Sequence, residues 1–178
     1  IYGEDGKITP ENLINCINSD LANNIGNLYQ RISSIVHNKL NSIVPKCSPN
    51  EKIDLKILNL VDENLDSLIK TFNNFEIHNY LKNIILLCSE VNKYVNDSAP
   101  WSIKEDNFEK RNVIIYTVLE FIRKISILLQ PVIPEKTKII LDSLSIKEDE
   151  RFIKNISKNF SLKQDLKIEK INILFKKQ

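Results

Sequence analysis

Apolar residues keep helical time along most of this chain. Between residues 10 and 44, Ile14, Ile17, Leu21, Ile25, Leu28, Ile32 and Ile35 recur at spacings of three or four, the stripe that one face of a helix presents to a bundle. A second stripe is broader: Val113, Ile114, Val118, Leu119, Phe121, Ile122, Ile125, Leu128 and Leu129. It predicts a central helix packed on several sides. Thr9-Pro10 offers an N-cap followed by proline at the first helical position. Ser48–Glu51, Asp106–Glu109 and Ser145–Glu148 have the spacing of capping boxes, while Pro45, Pro100 and Pro131 mark stops. The pattern predicts helices over about 10–44, 49–74, 76–98, 106–130 and 134–144, a shorter one near 147–158, and an irregular basic tail. The expected fold class is all-α, an antiparallel bundle of about five helices with a C-terminal tail.

Polar positions on the first helix raise a question of function. At about 100° per residue, Asn24, Asn27 and Arg31 fall on one flank beside the apolar stripe, and Asn27 and Arg31 form an i,i+4 pair sharing one patch of surface. Gly26 falls nearly opposite the core stripe, facing outward, where a missing side chain lets another backbone approach. A glycine inside a helix costs about 1 kcal/mol relative to alanine. The single tryptophan follows a proline in "NKYVNDSAPWSIKED", residues 92–106, where two predicted helices meet. A tryptophan at a helix end either plugs a bundle or offers an exposed platform on which an unstacked base can lie. Amide and guanidinium groups read the edges of bases splayed out of a loop.

Composition excludes more than it selects. With 178 residues, 42% hydrophobic and 27% charged, the chain suits one well-packed domain. A net charge of +2 does not by itself indicate a polyanion partner. No apolar run approaches the roughly 20 residues that span a bilayer, and no membrane association is expected. Cys16, Cys47 and Cys88 form no CxxC pair. Isolated thiols and the lack of a signal-peptide pattern make a reducing cytoplasm the expected location. His37 and His78 have no partners at ligand spacing, so no metal site is expected. Acidic residues are scattered over polar faces, so no catalytic residue is expected either. Residues 104–111 read as a solvated helix start. The tail lysines (Lys163, Lys167, Lys170, Lys176, Lys177) are interleaved with acidic residues as on a solvated surface. The chain starts at Ile1 and contains no Met, as expected of a fragment or a processed product.

Two ungapped motifs then carry a resemblance. "YGEDGKITPENLINCINSDLANNIGNLYQR" and, further on, "VNKYVNDSAPW" resemble the C-terminal anticodon-binding domain of bacterial methionyl-tRNA synthetase, and "INILFKKQ" is similar to that family's closing peptide, which folds back toward the catalytic domain. The resemblance implies an entry segment over 1–9, an anticodon-binding bundle over 10–158 and a tail over 159–178. It implies that Asn27, Arg31 and Trp101, with Pro100 beside the ring, meet the CAU anticodon of methionine tRNA; Asn24, Asn96 and Asp97 are secondary candidates. It further implies a monomeric ligase whose missing catalytic domain uses ATP with magnesium. This fragment is expected to hold no cofactor and to be inactive alone.

Two positions depart from the family pattern. Cys16 stands where many members have arginine, about 16 Å along a helix from Asn27. Asn96, followed by Asp97, stands where an acidic residue is frequent. Two alternatives stay open: the equivalent domain of the cysteine, leucine, isoleucine or valine enzyme, and a helical scaffold that binds no RNA. The anticodon reading further expects an exposed Trp101, and an extended Arg31 held by an acidic or carbonyl group.

Overall fold

The computed structural model describes residues 9–157, 160–170 and 174–175. It is an all-α bundle. The first rod is compound, with an α segment α1 (Pro10–Cys16), a π-helical segment (Ile17–Gly26) and α2 (Asn27–Lys39) running into one another. Four further helices succeed it: α3 (Lys52–Asn73), α4 (Ile77–Ser98), α5 (Phe108–Leu129) and α6 (Pro134–Ser143). Thr9 Oγ1 accepts from the Asn12 N–H at 3.2 Å and Pro10 opens α1, as the sequence predicts.

α5 is the axis of the molecule. It touches α2, α3, α4 and α6, and from Ile114 to Leu129 every residue is buried. That includes three charges absent from the apolar stripe. Arg123 clasps Glu120 through Nε and Nη2 at 2.8 and 2.7 Å, and its Nη1 donates to Asn155 O at 2.8 Å. Lys124 Nζ donates to Leu58 O at 3.0 Å and pairs with Asp62 of α3. Glu120 also accepts the Leu162 N–H at 2.9 Å. A charge this deep persists only when its hydrogen-bonding capacity is met, and here the partners fasten α3 and the tail to α5.

Several local expectations are revised. The first rod stops at Lys39 instead of residue 44, because Leu40 leaves helical geometry and Asn41 and Ser42 adopt positive φ of 51° and 65°. Asparagine tolerates that region well. The freed strand-like segment pairs with the tail, Val44 N–H donating to Leu166 O at 2.8 Å and Ile168 N–H to Ser42 O at 2.8 Å. None of the expected capping boxes at Ser48, Asp106 or Ser145 forms: Glu51 and Asn107 precede α3 and α5 without side-chain caps, and Ser145 Oγ donates to Lys167 O. The short helix expected near 147–158 is two 3₁₀ turns, Glu148–Glu150 and Ile153–Ile156. The tail is strapped to the bundle by buried Leu162, Ile168 and Leu174. Lys176 and Lys177 lie outside the described residues.

The apolar stripe of the first rod is buried from Ile25 through Leu28, Ile32 and Ile35. Leu21 and Ile17 are half-buried, and Ile14 is 40% exposed with Leu13 beside it at 54%. Among the described residues α1 makes substantial contact with the π segment alone.

Candidate nucleic-acid interface

The π segment decides which polar residues reach the surface. In a π turn each N–H bonds to the carbonyl five residues back, which rotates the downstream side chains about the helix axis. Asn24 is therefore not on the exposed flank expected from 100° steps. It is buried, and its Nδ2 donates to Ile85 O at 3.3 Å and to Ser89 Oγ at 3.2 Å on α4. Asn92 of α4 returns the contact, its Nδ2 reaching Asn24 Oδ1 at 2.8 Å and Cys88 O at 3.0 Å. Asn24 thus zips two rods together and has its amide committed there. Gly26 is likewise buried instead of facing outward; the group that approaches it is the side chain of Phe175.

Above this zipper lies an open cleft of about 440 Å³, lined by Asn27, Arg31, Asn23, Lys93, Asn96 and Asp97 among others. Asn27, Asn96 and Asp97 are exposed and Arg31 is half-buried. Five of the sequence candidates therefore share one concavity, with Asn24 at its buried floor. Trp101 closes the group: its ring lies under the Arg31 guanidinium, 4.6 Å from carbon to centroid, and it remains 45% exposed. Arg31 is held by this aromatic face; among the described residues no acidic or carbonyl partner takes it, contrary to expectation. Partial burial lowers its pKa from the usual arginine value, but a guanidinium stays charged at neutral pH.

Pro100 plays a different part from the one expected, because it is buried. α4 ends at Ala99 in left-handed geometry (φ 41°, ψ 58°). The Ser102 N–H then donates to Ala99 O at 2.9 Å, closing a turn with Pro100 and Trp101 at its centre. Proline presets the first central position of such a turn, so Pro100 fixes the turn that presents the ring. Lys39 Nζ donates to Trp101 O at 3.3 Å, and Arg111, buried at the start of α5, grips Glu105 at 2.6 and 3.1 Å just downstream. Sequence reasoning missed Asn92, Lys93, Lys39 and Arg111. Asn92 alone had a legible signal, standing i,i+4 from Asn96 on one helix face.

The arrangement suits recognition of unstacked bases. Amides offer paired donors and acceptors, the guanidinium a planar cation, and the indole a stacking surface. A larger cleft of about 900 Å³ lies elsewhere, lined by Cys47, Asp54, Asn107, Phe108 and Gln164 among others. It holds no activated nucleophile: burial first, and the Asp54 charge second, push the Cys47 thiol up to about 11, so it stays protonated. Among the described residues no cluster of His, Cys, Asp and Glu could hold a metal ion.

Comparison with known proteins gives a consistent kinship. A family model described as the anticodon-binding domain of methionyl tRNA ligase matches residues 44–178. The methionine–tRNA ligase of Rickettsia typhi is 37% identical over 180 residues, covering 99% of this chain and 36% of the relative. That of Caldanaerobacter subterraneus is 32% identical over 177 residues, covering 98% and 27%. The crystal structure of apo Mycobacterium tuberculosis methionyl-tRNA synthetase superposes with a TM-score of 0.93 at 29% identity, across 99% of this chain and 36% of that one. The chain thus spans about a third of the length of such relatives. Their names single out the methionine enzyme from the sister class I synthetases and leave the scaffold alternative without support. Matched by that family model over most of its length, the chain belongs to the anticodon-binding domains of methionyl-tRNA ligases.

Proposed function

We propose that the cleft beside Trp101 receives the CAU anticodon loop of methionine tRNA with its bases unstacked. The observation that carries this reading is the Arg31–Trp101 stack at an amide-lined concavity. With Arg31 over one side of the indole, the remaining exposed ring surface offers a base a place to stack. Asn27, Asn96 and Asp97 supply groups for base edges, and Lys39 and Lys93 supply charge for the backbone, so affinity falls with salt. Asn24 acts here by positioning, through its bonds to α4, and Pro100 through its turn.

The chain then serves as the recognition part of a monomeric cytoplasmic ligase that joins methionine to its tRNA. ATP and magnesium act in such an enzyme outside this chain. A glycine-rich phosphate cradle does not fit the described residues, where Gly26 sits inside a helix against Phe175. The chain by itself should show no methionine-dependent pyrophosphate exchange; exchange above background would refute that assignment.

The decisive experiment compares anticodon-variant tRNAs in a full-length synthetase carrying this chain. Trp101→Ala should cost about 1–3 kcal/mol of tRNA affinity through lost stacking. Arg31→Ala should narrow the preference for CAU over single-base variants. Unchanged preference in both variants would overturn the site.

A further inference from the structure

The pair Asn27 and Arg31 begins one residue after the π segment ends. A π turn is rare and has to be held in place by its surroundings. On one side the holder is evident: Asn24 is bonded across to α4. On the other side the segment ends at Gly26, which is buried while its neighbour Asn27 is exposed. A β carbon at Gly26 would lie 3.0 Å from Leu21 O and 3.0 Å from Phe175 Cδ2. The Phe175 ring therefore occupies the space that a side chain at position 26 would fill. Leu174, 4% exposed, anchors this part of the tail in the core, and Lys136 of α6 lies 5.8 Å from the Phe175 ring centroid. One aromatic ring near the end of the chain thus joins α6 to the point where the π segment hands over to α2.

Resting on the anticodon reading above, we infer that Phe175 is a positioning residue for anticodon discrimination: its ring, seated against Gly26, holds the π register that aims Asn27 and Arg31 into the cleft. Without the ring, the segment can relax toward ordinary α geometry. That rotates either Asn24 out of the seam with α4 or Asn27 and Arg31 away from Asn96, Asp97 and Trp101. The contact touches no base, so its effect is read through the residues it orients.

The test uses the full-length synthetase with Phe175→Leu, which keeps apolar volume but removes the ring, Phe175→Tyr, which keeps the ring, and Arg31→Ala as reference. Aminoacylation kcat and KM are measured with CAU tRNA and with single-base anticodon variants, alongside pyrophosphate exchange. Phe175→Leu should raise KM for the cognate tRNA and narrow the cognate-to-variant ratio roughly tenfold, with pyrophosphate exchange unchanged. Phe175→Tyr should retain the native ratio. A native ratio in Phe175→Leu, or a parallel loss of exchange and charging, overturns the inference. If Arg31→Ala narrows the ratio and Phe175→Leu does not, only the role of Phe175 fails. If neither does, the anticodon site itself is wrong.

Discussion

At the scale of the residue, Gly26 and Trp101 show how one atom's surroundings set a role. Helix propensity favours alanine over glycine by about 1 kcal/mol, so propensity alone would have Gly26→Ala stabilise the helix. The packing reverses the sign, because the new methyl would be 3.0 Å from both a backbone oxygen and the Phe175 ring. Overpacking of this kind costs about 1–3 kcal/mol. Gly26→Ala should therefore lower the urea midpoint of unfolding; an increase would show that the ring moves aside freely. Trp101 is the converse case. Its ring is large but 45% exposed, and its contact with Arg31 lies at the surface, so Trp101→Ala should leave the unfolding midpoint nearly unchanged.

At the scale of the element, α5 carries the largest local energies. Glu120 and Arg123 are each 1% exposed and bound to each other, and Glu120 also holds the tail at Leu162. Glu120→Ala strands a buried guanidinium and should cost about 3–5 kcal/mol. The pair Lys56–Glu90 between α3 and α4 is as short, 2.6 Å, but its side chains are 57% and 38% exposed. Glu90→Ala should cost less than about 1 kcal/mol. Paired denaturation curves for the two variants check the contrast, and equal losses would contradict it. Contacts with segments beyond the local cap, not burial, explain why the helix-start spacings misled. Residues 48–51 and 106–109 fit a local cap, but the chain there is pulled instead into contacts with the tail and into the Glu105–Arg111 clasp.

At the scale of the whole molecule, buried phenols set the alkaline limit. Tyr80 and Tyr116 donate to Leu128 O at 2.6 Å and to Leu162 O at 3.0 Å, and burial pushes both phenols up to about 12 from a usual value of 10.0. Their folded pKa is raised, so the stability they contribute is fully present below pH 10 and is lost as pH rises through 12. Melting temperature followed by circular dichroism should hold steady up to about pH 10 and fall beyond it. On the acid side the Lys138 hydrogen bond, then that of Arg151, holds the Asp142 carboxyl below its usual 3.8. That contribution is present above pH 3.8 and fades as pH falls through the lowered value. It is small, because the Asp142 side chain is 46% exposed.

The sequence by itself determined the all-α class, the rods and their approximate order, because period and proline punctuation are local properties of the chain. It also determined the pair Asn27–Arg31, since four residues within regular α2 return to one face whatever surrounds them. Tertiary structure decided everything that crosses between rods. Arg31 lies on Trp101 only because α4 ends in a left-handed residue and a proline turn beside α2. Asn24 turned inward, and Gly26 with it, because a π segment replaces 100° steps and is held by α4 on one side and by Phe175 on the other. Such a register is a compromise among neighbours distant in sequence, and no local pattern encodes it.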